Sequence, residues 1–164
     1  FTTGRITAEA GIAQSGLYKH WPDREAVLHE VAELVGERIL QAVRNARLQA
    51  GADITRIEES FAGSLRAVME EREILMIFLR YRREPGPLGD VLRELLERAL
   101  NELYIDLVNL GIVEAEAPSG KRLCYHVVAA CLWTVEALLD GRFEDETQAA
   151  TELANIAQNV LGNY

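Results

Sequence analysis

Apolar positions recur along the chain every three or four residues and almost never every two, so helices are predicted throughout and strands nowhere. Thr3 to Ala10 and Gln14 to Trp21 form two short helical patterns, separated by Gly11 where a left-handed residue turns the chain. Thr2 or Thr3 caps the first. Trp21-Pro22 ends the second, because a residue before proline is pushed away from helical angles. Asp23 is the predicted cap of a third helix that runs to Ala50 with Gly51 behind it. Its apolar stripe is Val27, Val31, Leu34, Val35, Ile39 and Ala42. Roughly 27 residues at about 1.5 Å each make a rod of about 40 Å, long enough to join two domains.

Beyond it the pattern predicts a helix from the Asp53 cap, with Ile54, Ile57, Phe61, Leu65 and Val68 on one face. Helical spacing continues over 72–84 and is stopped by Pro85-Gly86-Pro87. Another long helix covers Leu88 to Leu110, ended by Gly111, and 114–120 reads as a polar loop. From Leu123 to Leu139 only His126, Thr134 and Glu136 are clearly polar. That run lies at the lower edge of membrane-span length, but Glu136, His126 and acidic flanks argue against a span. A helix apolar all round must be covered all round. The last helix is predicted from Asp145, with Gln148 placed for a capping box. It carries two adjacent stripes, Leu153/Ile156/Val160 and Ala150/Ala154/Ala157/Leu161. Two wide-faced helices at the end of a chain predict a homodimer through a four-helix interface, two helices from each subunit.

Charge refines this picture. The net −9 comes from the later part: Asp53 onward holds 11 basic and 20 acidic residues, whereas residues 1–24 hold three basic and two acidic ones. An acidic body keeps DNA away from all but one surface and does not exclude a DNA-binding head. Cys124 and Cys131, seven apart on one predicted helix, are about 10 Å apart by rise and too far for a bridge. With no signal peptide, a reducing cytoplasm is the expected location.

The head carries a specific pattern. Ile6-Thr7-x-x-Ala10-Gly11-Ile12-Ala13-x-x-x-Leu17-Tyr18-x-His20-Trp21 resembles the signature of TetR-family (tetracycline-repressor-like) transcriptional regulators, roughly I-A-x-x-A-G-V-S-x-x-x-L-Y-x-H-F. The likeness is close over residues 2–28, and beyond them extends only to the number, length and order of helices. It implies an all-α protein: a helix-turn-helix DNA-binding domain over 1–28 and a larger helical-bundle ligand-binding and dimerisation domain over 29–164. It implies a regulator, most often a repressor, that binds double-stranded DNA as a dimer and answers to a small-molecule effector. By the same resemblance Thr3, Gln14, Ser15, Gly16, Tyr18, Lys19, His20 and Arg24 are the DNA-contacting set. Their chemistry agrees: short or flexible donors at helix starts reach phosphate or base edges, and Gly16 lets the backbone approach. Ala13 stands where the family usually has a capping Ser, a loss of ~1 kcal/mol of helix stability. The family's head has a further amphipathic helix ahead of these two, so the head is expected to be incomplete as the sequence is written.

Other candidates carry less. Phe61, Phe78, Tyr81, Tyr104 and Trp133, with Met69 and Tyr125, are the aromatic and soft residues available to line an effector cavity, although at helical spacing such residues also build cores. Arg80-Tyr81-Arg82-Arg83 is the one dense basic cluster, either an anion site or a solvated helix end whose cations suit the carboxyl terminus. Glu25, His29 and Glu33 share a helix face, yet a solvated face explains them as well as a metal does. Cys124 and His126 do not share a face. With no nucleophile–base pair or cofactor loop, neither catalysis, nor a cofactor, nor a metal is expected. The competing readings are a helical ligand-sensing or scaffold dimer without DNA binding, and an α-helical enzyme.

Overall fold

A computed structural model describes residues 13–51, 56–116 and 118–161, with the side chains of 14, 17, 18, 160 and 161 outside that set. The described residues are all-α. Seven helices follow one another: α1 (Gln14–His20), α2 (Arg24–Ala50), α3 (Ile57–Glu70), α4 (Arg72–Tyr81), α5 (Pro87–Asn109), α6 (Pro118–Leu139) and α7 (Glu146–Leu161). The predicted first helix, Thr3 to Ala10, and the Asp53 cap lie outside the described residues.

Helix ends fall where local chemistry demands. Asp23 is extended and its carboxylate accepts from the Ala26 N–H at 2.8 Å, so α2 starts on a side-chain cap. Gly51, at φ 72°, takes the left-handed backbone that closes the same helix. Pro87 opens α5 at a first-turn position, where its missing N–H costs nothing. At α7, Asp145 accepts from the Thr147 and Gln148 N–H groups, both at 2.9 Å. The Gln148 side chain returns one residue further back than a capping box predicts, accepting from Glu144 N–H at 2.8 Å.

Three expectations need correction. Residues 72–84 do not continue the preceding helix, because Glu71 is a turn residue between α3 and α4, and α4 ends at Tyr81. The 114–120 loop is shorter than predicted: α6 begins at Pro118, a residue type that starts helices as readily as it ends them. On α2 the buried face is Val27, Leu28, Ala32 and Val35, while Leu34 is 64% exposed. The helix is covered on its Leu28–Ala32 side by α5, which rotates the buried arc away from Leu34.

α2 and α5 run parallel and in step. Leu28 packs in one cluster with Leu88, Val91, Leu92 and Leu95; Glu37 pairs with Arg98; Arg47 meets Asp106. They approach so closely at Gly36 that a Cβ there would lie 2.5 Å from a Leu95 methyl carbon. α3 runs back along α2, with Gly63 against Ala46. A second cluster joins Leu65, Leu75, Val135, Ala149, Ala150 and Leu153 from α3, α4, α6 and α7. Phe78 touches both clusters. α2 passes unbroken through position 28, so the two predicted domains share one helix, and the bundle core reaches back to Val27 and Leu28.

α6 is long and apolar enough to cross a membrane, and only 11% of its most apolar stretch is buried within the chain. Its Glu136 is nevertheless tied to the bundle: Arg82 Nη2, after the end of α4, donates to Glu136 Oε1 at 2.8 Å. Arg82 also donates to the Leu79 carbonyl, so one member of the basic cluster is a helix-end tether. Arg80 lies over the Tyr81 ring at 5.5 Å.

Candidate functional site

Two regions gather candidate side chains: the short α1 with the start of α2, and a cavity lined by α2 to α7. At the first, α1 is a seven-residue helix whose opening is marked by Gly16 N–H donating to the Ala13 carbonyl at 2.8 Å. Ser15, Lys19, His20 and Arg24 are exposed, so four of the predicted DNA contacts are free to meet a ligand surface. Gly16 has nothing within 4 Å of where a Cβ would stand. Thr3 and the side chains of Gln14 and Tyr18 lie outside the described residues. The His20 and Trp21 rings pack at 5.7 Å, and the Trp21 indole N–H donates to Glu30, one turn and a half into α2. The end of α1 is thereby tied to the first turns of α2.

The cavity measures about 340 Å³, within the range of small-molecule sites. Its wall follows α2 from Ala32 through Gly36, Leu40, Val43 and Arg47 to Gly51. It follows α5 in step, from Leu92 through Leu96, Ala99 and Leu103 to Leu110. α3 contributes Phe61 and Ser64, α4 Leu75 and Phe78, α6 His126, Cys131 and Val135, and α7 Leu153 and Ile156. The wall is aliphatic apart from Phe61, Phe78 and five polar residues: Arg47, Ser60, Ser64, His126 and Cys131. His126, Ile112 and Ile156, also part of the wall, are exposed.

Of the aromatic candidates, the structure brings Phe61 and Phe78 to the cavity and places the other three elsewhere. Trp133 is 73% exposed on α6. Tyr81 packs beside the Leu28–Leu92 cluster. Tyr104, on α5, reaches the loop that follows the helix: its hydroxyl accepts from Glu116 N–H at 3.0 Å, and Lys121 lies over its ring. Glu116 takes a positive φ of 67°, a strained backbone that this hydrogen bond helps to hold. Among the polar residues of the wall, Arg47, Ser60 and Ser64 carry no signal in the sequence. Arg47 and Asp106 stand 59 positions apart and share no local pattern.

Asp106 is the most deeply buried charged side chain of the described residues, 1% exposed. It accepts from Arg47 Nε at 3.1 Å and from Arg47 Nη2, and Arg44 Nη2 lies 3.4 Å away. One carboxylate thus faces two guanidiniums, and Arg44 Nε is buried without a hydrogen-bond partner. The cluster carries a formal +1 at the cavity wall. Elsewhere on α2 the hydrogen bond from Arg98 holds the Glu37 carboxyl below its ordinary range, on an exposed surface.

Both cysteines are free thiols. Burial pushes Cys124 up from its ordinary value, against the opposing charge of Arg47. Cys131 keeps some surface that faces the cavity, yet enclosure by protein atoms pushes its thiol up to about 12. At pH 8 native Cys131 is therefore expected to alkylate on the order of a thousandfold more slowly than a free cysteine, with normal reactivity restored in denaturant. Mass spectrometry of iodoacetamide-treated protein checks this; rapid native labelling would contradict the enclosure. The same shift makes Cys131 a stabilising influence that is full below the unfolded pKa. It is lost as pH rises from there toward about 12, because the unfolded chain releases the proton first.

His29 Nδ1 lies 3.8 Å from Glu33 on an exposed face, an i,i+4 pair of the kind found on solvated helices. No group of three metal-ligating side chains occurs among the described residues. Neither a family model nor a curated protein matches the chain.

Proposed function

We propose that the chain is a ligand-responsive, DNA-binding transcriptional regulator that acts as a homodimer, most simply as a repressor. The observation that carries this reading is the residue 2–28 pattern, with its likeness to TetR-family heads, running straight into a helix that also walls a cavity. Exposed Ser15, Lys19, His20 and Arg24 supply the donors and cations that phosphate and base edges require. In the dimer the two heads enter successive major grooves about 34–36 Å apart on a palindromic site.

The dimer forms through α6 and α7. Tyr125 and Trp133 on α6 are 63% and 73% exposed, and Ile156 on α7 is 56% exposed. Large aromatic side chains left uncovered on an apolar helix are what a subunit interface uses as anchors. The Arg82–Glu136 pair fixes α6 to its own subunit, which favours a second subunit over a lipid bilayer as the cover for its outer face.

Regulation follows from α2. The cavity follows this helix for about five turns, and its first turns carry Arg24 and the Glu30 partner of Trp21. An effector that prefers one position of α2 shifts the head spacing by as much as its affinity differs between the two positions.

DNA binding by the full-length protein tests the reading. Lys19→Ala is expected to weaken binding about tenfold at low salt and to reduce the salt slope by about one, while gel filtration still shows a dimer. Binding that shows no preference over competitor DNA would overturn the proposal.

A further inference from the structure

The charges around the cavity restrict what the effector can be. Among the described residues the wall holds no carboxylate, so nothing on it answers a buried cation. Its one guanidinium, Arg47, is already met by Asp106, through Nε at 3.1 Å and through Nη2. The surplus charge of that cluster belongs to Arg44, which is not on the wall and whose side chain is 40% exposed. Burial keeps Cys131 a neutral thiol, and His126 is exposed, where water answers its charge. An ion brought inside would give up its hydration with no free counter-charge to replace it. An uncharged molecule meets no such cost.

Hydrogen-bonding capacity inside is concentrated on α3. Ser60 and Ser64 line the cavity four residues apart, so they share one face of that helix. Neither hydroxyl has a hydrogen-bond partner among the described residues. Each can both donate and accept, so a hydroxyl or carbonyl oxygen suits either. Most of the remaining wall is hydrocarbon, aliphatic but for the rings of Phe61 and Phe78. The space of about 340 Å³ is about twice the ~150 Å³ that takes up one benzene molecule, which is room for about two rings.

We propose that the cavity binds an uncharged, largely hydrocarbon molecule of about two rings' bulk, whose hydroxyl or carbonyl group is held by Ser60 and Ser64. The inference rests on the ligand-responsive reading above and gives its effector a chemical class.

Calorimetric titration of the full-length protein, without DNA, tests the proposal with compounds that share a naphthalene ring system and differ in one substituent. 2-Naphthylmethanol should bind about fivefold more tightly than 2-methylnaphthalene, the gain of one hydrogen bond. 2-Naphthoate and 2-naphthylmethylammonium should each bind about a hundredfold or more weakly than the alcohol, because each charge is buried unpaired. Benzyl alcohol, with less hydrocarbon to bury, should bind about thirtyfold more weakly than 2-naphthylmethanol. Either ion binding as tightly as the alcohol would overturn the proposal, as would equal affinity for alcohol and hydrocarbon. Equal affinity for one ring and two would place the alcohols on the surface and overturn it as well.

Two variants tie the effect to the site. Ser60→Ala combined with Ser64→Ala should bring 2-naphthylmethanol down to the level of 2-methylnaphthalene and leave the hydrocarbon within about twofold. The ratio of the two affinities is the readout, since a damaged fold lowers both alike. A ratio that stays near its original value would overturn the role of the serines. Ala99→Phe adds a ring to the wall on α5 and should weaken alcohol and hydrocarbon together by about thirtyfold, with helix content unchanged. Unaltered affinity in that variant would place the ligand outside the cavity. The titrations contain no DNA, so their failure leaves the DNA-binding reading standing, and a failure to bind DNA leaves their result standing.

Discussion

Asp106→Ala is expected to lower the free energy of unfolding by about 3 kcal/mol, in the range found when one member of a buried ion pair is removed. The carboxylate is 1% exposed and joins α5 to α2 through Arg47, whose side chain is itself only 13% exposed. Alanine leaves that guanidinium charged and facing an apolar cavity wall, with no acceptor where Asp106 stood. Arg44 suffers less, because its side chain is 40% exposed and can turn to water. Asp106→Asn keeps the shape and one acceptor oxygen, so it should lose about half as much. Urea denaturation of the two variants beside the parent protein measures both differences. A loss below about 1 kcal/mol for Asp106→Ala would show that the cluster does not hold α2 to α5.

The second large effect concerns assembly. Trp133→Glu should convert the proposed dimer to a monomer without loss of helix content. Trp133 is 73% exposed on the single chain, so the protomer gives up little packing when it is replaced. An interface tryptophan at an anchor position contributes about 2 kcal/mol. In a two-fold interface each substitution counts twice, and about 4 kcal/mol weakens the dimer about a thousandfold. The buried carboxylates add to this, since each glutamate brings a charge to an apolar face. Sedimentation equilibrium across a concentration series reads the change. An unaltered dimer would place the interface elsewhere on the molecule, whereas a fall in helix content would show that Trp133 supports the protomer itself.

Both effects bear on what was legible before the structure. Helix boundaries were readable wherever one residue's own chemistry decides the matter, as at Asp23, Gly51 and Gly111. Pro118 misled because proline is compatible with a first turn and a loop alike, and only packing distinguishes them. The exposed aromatic at Trp133 belonged to an apolar run that had to be covered; which side of the run met the chain's own bundle was set by α5 and α7, not by periodicity.

The cavity was the least legible feature, and the reason is physical. Aromatic residues draw attention as ligand contacts, but here the wall is mostly aliphatic, and Tyr104 and Trp133 face other surroundings. Small residues on three different helices, Ala32, Ala99 and Ser64, line the space and are the signal that was present. Gly36 works in the opposite sense, letting α2 come close against Leu95. The Arg47–Asp106 pair joins helices whose relative placement no local pattern encodes.

The central claim is that two heads, held by one dimer, read two half-sites in step. Its most direct measurement uses a palindromic site selected from random DNA by the full-length protein, compared with the same half-sites moved apart by half a helical turn. The account predicts at least a hundredfold weaker binding to the altered spacing, because the second half-site then faces away from the second head. Equal affinity for both spacings would contradict it.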